Sequence, residues 1–384
     1  MTLDLNVLAG QAEVVLRQHV DPGLSLVDPV LLKDVTRSFV VRCRVELPQT
    51  TAAPLPSVII KYVRDDARGF SDWASLAFLD GLPATHGLAP RFFGGDIEKR
   101  LFVLEDLGGS QSLDDLLRQP DAQRAMAVFR GLAICMARLQ AATFGKEARF
   151  VALRQTLPSA VDGSRHDEAV RWLENQAKVR AWFQAADCAL PDGFDACVQA
   201  IAQVYTEPGP FLCFSHGDPA PSNNHVAGER VRLLDFEYGA FRHALYDLTG
   251  WNILCPLPDP CVQEMNRCFR RTLAKACPPV QEDDEYALAW ATMCAFRALA
   301  ILTWIPPTVL QENRPWVDAQ WTSRHAVLAA LSRLYDATAG VTQLAPVHEA
   351  AAKLNTALHQ RWPEFNKRQH LIPSWPAFAT ICRD

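Results

Sequence analysis

Although the chain has 11 cysteines, it contains no C-x-x-C pair. That excludes the common paired-thiol zinc and redox motifs. Cys255, Cys261, Cys268 and Cys277 are too widely spaced for an ordinary zinc site, so reduced, mostly buried thiols are expected. Positive charge is not in surplus either: 38 Lys and Arg stand against 43 Asp and Glu, a net charge of -5. No nucleic acid and no anionic membrane surface is expected as a partner. The opening residues carry Asp4 and Glu13 and lack a basic run followed by an unbroken apolar one, so no signal peptide is expected. Residues 293–305 form the longest apolar stretch, which Arg297 interrupts, and it reads as too short to span a bilayer. A cytoplasmic location follows as the expectation. Neither G-x-G-x-x-G nor G-x-x-x-x-G-K-[ST] occurs, which disfavours Walker-type phosphate binding. Repeats and low-complexity segments are also absent.

The chain does have the length for a sizeable core and two lobes, 384 residues with 49% hydrophobic. Its densest polar constellation lies in 214–247. His216, Asp218, Asn223 and Asp235 fall there, separated by Pro219, Pro221 and two short apolar runs around Ala227-Gly228-Glu229-Arg230. The Pro/Ser/Asn segment continues neither a helix nor a sheet ladder, and the runs around Gly228 read as a hairpin. That hairpin carries Asp235 back toward Asp218. Taken singly, an Asp in a Pro-rich loop is a turn or cap residue. Taken together, the four fit phosphoryl transfer. Asp218 can orient a hydroxyl nucleophile and take its proton late in the reaction, while Asn223 and Asp235 offer hard oxygen ligands to Mg2+.

The order His-x-Asp, Asn five residues later, and a hairpin ending in Leu-Leu-Asp-Phe-Glu resembles the phosphotransferases related to aminoglycoside phosphotransferases and choline kinases. The resemblance implies an α+β, bilobal, protein-kinase-like fold, with a small antiparallel-sheet nucleotide-binding lobe over 1–106 and a larger, mostly helical lobe over 107–384. It also implies ATP or GTP as co-substrate, Asp218 as catalytic base, Asn223 and Asp235 at the metal, His216 supporting the catalytic loop, and Asp247 bracing it. Pro219 follows the Asp where the family often has Leu, and Glu237 stands where protein kinases have Gly.

Upstream, 2–19 has the apolar spacing of a helix, 32–35 and 38–47 read as strands, and Phe39, Val41, Cys43 and Val45 share one face. Lys61 lies inside the apolar strand 58–63, where its ammonium needs an anion or an escape to water. By the resemblance it meets the nucleotide phosphates, and Asp72, on a helix over 71–79, takes the place of the family's glutamate. The phosphate-covering loop falls near Thr36-Arg37-Ser38 and, lacking glycines, would rely on backbone and hydroxyl donors such as Ser38. Glu105, Asp106 and Leu107 match the inter-lobe hinge, whose backbone pairs with the purine. Ser112 reads as a helix N-cap, and 122–142, 167–186, 194–205, 259–276, 284–305, 315–337 and 348–362 as helices. The less regular 146–165 is a candidate to pass over the active-site mouth. Trp251, Asn252 and the acidic run 282–285 are candidates for the acceptor pocket, the run equally reading as a solvated helix start.

The reading is a small-molecule kinase, monomer or homodimer, phosphorylating a hydroxyl acceptor. Two alternatives stay open. One is a non-catalytic nucleotide-binding protein on the same fold. The other is a metal-dependent hydrolase built on His216, Asp218, His225 and Asp235, which lacks an upstream D-x-H or H-x-x-x-H pattern and leaves Lys61 unexplained.

Overall fold

The computed structural model describes residues 3–47, 56–109, 111–158, 165–316, 320–365 and 371–379. Helix α1 (Leu5–His19) starts where Asp4 accepts the N–H of Asn6 at 2.8 Å, a side-chain cap on an otherwise open donor. Strands β1 (Ser25–Asp34), β2 (Ser38–Glu46) and β3 (Ser57–Val63) follow, then helix α2 (Asp66–Asp80) and strands β4 (Phe92–Asp96) and β5 (Leu101–Glu105). The strands form one antiparallel sheet in the order β1-β2-β3-β5-β4. Phe39, Val41, Cys43 and Val45 are all buried on one face, as their alternation predicts, and pack with Leu8, Ala12, Val15 and Leu16 of α1. β1 begins well before the strand expected at 32–35. Its outer half is exposed and a bulge between Val27 and Val30 breaks its alternation, with Asp28 at φ +52°.

The chain continues through α3 (Leu113–Leu117), α4 (Ala122–Ala141), α5 (Glu147–Arg154), α6 (Arg165–Glu174), α7 (Gln176–Ala185) and α8 (Phe194–Thr206). Four short strands come next, β6 (Leu212–Ser215), β7 (Asn224–Ala227), β8 (Arg230–Leu233) and β9 (Ala240–His243). The remaining long helices are α9 (Tyr246–Ile253), α10 (Asp259–Leu273), α11 (Asp283–Trp304), α12 (Ser323–Thr338) and α13 (Ala345–Arg361). An antiparallel-sheet N-terminal part followed by a mostly helical C-terminal part is the α+β, protein-kinase-like fold expected.

Two compact units divide the chain. The first gathers Met1–Leu113, Gly145–Asp162 and His216–Ala240; the second gathers Asp114–Phe144, Gly163–Ser215 and Phe241–Asp384. In the first unit the hairpin β7–β8 is tied in by backbone hydrogen bonds, Leu233 N–H to Leu88 C=O at 2.8 Å and Val226 N–H to Gln111 C=O at 2.9 Å. Residues 146–165 depart from expectation, because α5 packs its Phe150 edge-on against Phe78 of α2 at 5.3 Å and Arg154 donates to Ser71. Those contacts make it a buttress of α2, while 159–164 lie outside the described residues.

In the second unit, α11 is the central helix. It is long and apolar enough to cross a membrane, contrary to the expectation from 293–305, yet 78% of its most apolar window is buried within the protein. Phe296 explains this, stacking on Trp172 at 4.7 Å and on Tyr205 at 4.2 Å. Residues 315, 316 and 320–322 are not helical as expected, and 317–319 lie outside the described residues; Pro315 bridges to Thr322, and Thr322 then opens α12 in a capping box with His325. The stretch 167–186 is two helices, α6 and α7. The acidic residues 283–285 occupy the first turn of α11, where they complement the helix dipole.

Candidate active site

Every residue expected at the nucleotide and metal sites lies in the first unit. Lys61 projects from β3, and its Nζ donates to Asp72 Oδ2 at 2.5 Å and to Asp235 Oδ1 at 3.0 Å. Burial alone would depress the ammonium's pKa, but the two carboxylates outweigh it and hold the pKa above the ordinary lysine value. Asp72 is 2% exposed at its side chain; burial, reinforced by the charge of Asp235, lifts its carboxyl above the usual range despite Lys61. Asp72 Oδ1 also accepts the N–H of Phe236 at 2.8 Å. For Asp235, burial pulls upward, but Lys61, Lys33 and His216 prevail and lower its carboxyl.

An aspartate reaches Lys61 here because α2 lies close to β3. A Cβ on Gly69 of α2 would stand 2.4 Å from Val63 Cγ1, so glycine permits the approach that the shorter side chain needs. Spacing alone did not reveal this role of Gly69.

The loop after β6 is organised by His216, which is fully buried. Its Nε2 lies 2.7 Å from the Leu234 carbonyl, and its Nδ1 accepts the N–H of Asp218 at 3.3 Å. A carbonyl can only accept, so the proton sits on Nε2. One imidazole thus links the backbone of Asp218 to that of the residue preceding Asp235. Gly217 between them has φ +87°, and a Cβ there would meet the Tyr238 carbonyl oxygen at 2.3 Å, so glycine is required. Asn223 Nδ2 donates to the Asp218 carbonyl at 2.9 Å and reaches its Oδ2 at 3.4 Å, while Leu234 N–H donates to Asn223 C=O at 3.0 Å. Asp235 itself takes φ +63°, a left-handed conformation that Asp tolerates better than most residues and that is frequent at functional sites. Asp247 sits buried in the first turn of α9, in the second unit.

The donor set suits a hard divalent cation. With Asp235 Oδ1 engaged by Lys61 and Asn223 Nδ2 engaged by Asp218, the oxygen donors on offer are Asp235 Oδ2 and the Asn223 amide oxygen, which accepts the Ser222 hydroxyl at 3.3 Å and would have to exchange it for the ion. A hydrolase-type histidine site is not favoured. His216 uses both ring nitrogens on the backbone, and His225 directs Nε2 to the Leu107 carbonyl at 2.8 Å. Among the described residues no three His, Cys, Asp or Glu side chains gather into a metal-holding group.

The stretch 105–107 is braced on both sides. Glu105 N–H donates to Arg91 C=O at 2.9 Å, Glu105 Oε1 pairs with Arg232 at 2.8 Å, and Leu107 C=O receives His225. Burial works to raise the Asp106 carboxyl, but Arg42, Ser57 Oγ and the N–H of Gly108 hold it below the usual value. Its side chain therefore ties β2 and β3 together. Leu113 N–H, at the start of α3, is met by Asn224 Oδ1 at 2.8 Å. Ser38 opens β2 opposite Val63 and lines a small cavity with Arg37, Lys61, Arg68, Asp72, Asp235 and Glu237. Arg68 and Glu237 carry a role that the motif did not announce, since Glu237 Oε1 accepts from Arg37 at 3.1 Å and from Arg68 at 3.2 Å. Trp251 and Asn252, read as acceptor-pocket candidates, are spent on packing. Trp251 meets Phe129 edge-on at 5.3 Å, and Asn252 Nδ2 lies 3.6 Å from Cys294 Sγ.

The family described as "Phosphotransferase enzyme family" (APH) matches residues 63–260. That span takes in Asp72, 105–107, His216, Asp218, Asn223 and Asp235 and begins just past Lys61. No curated protein matches the chain. Among solved structures, a choline/ethanolamine kinase family protein from Mesorhizobium loti is 15% identical with a TM-score of 0.45, covering 91% of this chain and 98% of its own. Choline kinase from Cryptosporidium parvum is 13% identical with a TM-score of 0.46, covering 97% and 99%. Macrolide 2'-phosphotransferase from Brachybacterium faecium is 17% identical with a TM-score of 0.44, covering 77% and 97%. The assignment rests on the family match.

Proposed function

The chain belongs to the phosphotransferase enzyme family, and from that premise we propose that it moves the γ-phosphoryl group of ATP, or GTP, to a hydroxyl of a small-molecule acceptor. The observation that carries this reading is Lys61 Nζ held between Asp72 and Asp235 while His216 joins the Asp218 loop to Leu234. Lys61 would bind the α- and β-phosphates. Asp218 would orient the acceptor hydroxyl, whose oxygen attacks the γ-phosphorus as the bond to the β–γ bridging oxygen breaks. The hydroxyl proton passes late to the Asp218 carboxylate. Asn223 and Asp235 would hold Mg2+, which when bound supplies charge neutralisation for the phosphates. His216 and Asn223 would act by position, fixing Asp218 so that little reorganisation is left to the reaction.

Purine recognition would fall to main-chain groups of 105–107. The Asp106 C=O and the Leu107 N–H are among the groups there that neither Arg91 nor His225 engages, and backbone recognition leaves the side chains to packing. The division into a nucleotide-binding lobe over 1–106 and a helical lobe over 107–384 is part of the same proposal. Ten described cysteines, all free, suit a reducing compartment and hence the cytoplasm.

Calorimetry tests the assignment of roles. Asp218→Asn is expected to bind MgATP within about twofold of the wild type, because it removes a charge directed at the acceptor. Asp235→Ala is expected to bind MgATP at least about tenfold more weakly and to lose the dependence on Mg2+. Equal Mg2+ dependence in Asp235→Ala would remove that residue from the metal site.

A further inference from the structure

The turn between β1 and β2 has no glycine, so its backbone is not shaped to wrap a polyphosphate closely. What stands at its tip is Arg37. The Arg37 carbonyl accepts the N–H groups of Arg64 at 3.2 Å and Asp65 at 3.3 Å, which fixes the turn to the start of α2. Arg68, on the first turns of α2, lies over the Tyr238 ring at 4.8 Å. Both guanidinium groups converge on one carboxylate oxygen, Glu237 Oε1, and Glu237 is only 19% exposed.

The charges in this place can be counted. Lys61, Arg37 and Arg68 face Asp72, Asp235 and Glu237 around one cavity, so the set is internally neutral. The cavity measures about 20 Å³, room for roughly one water. Lys61 already has two carboxylate partners, whereas the two arginines share one. A cation that shares its only carboxylate with another gains most from an incoming phosphate, which guanidinium groups bind in bidentate fashion.

We propose that Arg37 and Arg68 form the polyphosphate clamp of this protein, replacing a glycine-rich loop, and that Glu237 is a resident anion which holds them until the phosphates of a nucleoside triphosphate displace it. The proposal rests on the phosphotransferase reading and deepens it by naming the groups that meet the β- and γ-phosphates. Glu237 is then a competitor of the substrate, and removing its charge strengthens binding. A carboxylate needed as a metal ligand does the reverse.

The test is calorimetric titration with MgATP, and with tripolyphosphate in the absence of metal, on wild type, Glu237→Gln, Arg68→Ala and Arg68→Lys, each checked for folding by circular dichroism. Glu237→Gln is expected to bind both ligands about three- to tenfold more tightly, the release of two partly exposed ion pairs. Arg68→Ala is expected to bind both about tenfold more weakly, with Arg68→Lys intermediate. Weaker MgATP binding by Glu237→Gln overturns the inference, as does an Arg68→Ala or Arg68→Lys protein that binds both ligands like the wild type. If the wild type binds MgATP and the variants leave its affinity unchanged, only the clamp falls. If the wild type binds neither ligand, the phosphotransferase reading falls with it.

Discussion

Lys61 is shared by two aspartates that differ in exposure, and the difference decides what each contributes. The Asp72 side chain is 2% exposed and also satisfies the Phe236 N–H, so its charge is compensated from two sides. Asp235 is 31% exposed and pairs with Lys61 through Oδ1, which leaves Oδ2 for a ligand. Asp72→Ala should therefore cost stability as well as phosphate binding, about 3–5 kcal/mol in urea denaturation, because a half-compensated ammonium and a bare N–H stay buried. Asp72→Asn keeps an acceptor for Phe236 and should cost less. A loss under about 1 kcal/mol in Asp72→Ala would show that the pair does not hold the fold. A second residue sets the acid limit. His243 is buried on Phe211, accepts the Leu245 N–H, and burial pushes its pKa down to about 3. In the unfolded chain it takes a proton near pH 6.5, so between the two values the unfolded state binds the extra proton and stability falls as pH falls. The contribution is complete above pH 6.5 and declines by about 1.4 kcal/mol per pH unit below it. Urea melts at pH 7.0 and 5.0 should show a smaller acid loss in His243→Gln than in the wild type; equal losses would exclude His243. Lys61, Asp218, Asn223 and Asp235 were legible as candidates because the proposed phosphoryl transfer would demand their residue types in that order. Arg68 was not, since an arginine in a polar helix start has no distinguishing pattern until Glu237 is brought beside it by the hairpin.

Between elements, the distance from α2 to β3 controls whether Asp72 serves where a longer glutamate is usual in the resembling enzymes. Gly69 sets that distance through its contact with Val63. Gly69→Ala should displace α2, cost about 1–3 kcal/mol by overpacking, and weaken MgATP binding through a stretched Lys61–Asp72 pair. Adding Asp72→Glu to it should restore part of the binding, since one methylene spans the added gap. A double variant that binds no better than Gly69→Ala would contradict this account of the helix position. The inner strands were readable from their alternation and α4, α8 and α10 from their apolar spacing. β1 was read short because its outer half faces solvent and its bulge interrupts the period. α5 was missed as a helix for the reason that its sequence, EARFVALR, buries only Phe150 and has almost no apolar face of its own. Its identity depends on α2.

At the scale of the molecule, the nucleotide and metal candidates come from segments far apart along the chain that belong to one compact unit, Met1–Leu113 with Gly145–Asp162 and His216–Ala240. The order of the motif implied this convergence; composition and periodicity did not, because contact between 61 and 235 depends on the hairpin β7–β8 joining the first unit. The acceptor is the part least written in the sequence. Trp251 and Asn252 carry suitable chemistry, yet both are absorbed by packing in the second unit, as most buried aromatics are. The most direct measurement is the fate of the labelled γ-phosphate of ATP, followed with a panel of amino alcohols, sugars and aminoglycosides, in the wild type and in Asp218→Asn. The account predicts label transfer from ATP to at least one hydroxyl compound by the wild type, with turnover reduced at least about a thousandfold in Asp218→Asn at unchanged MgATP affinity. Transfer at equal rates by the two proteins, or no departure of label from ATP in a wild type that binds MgATP, would contradict it.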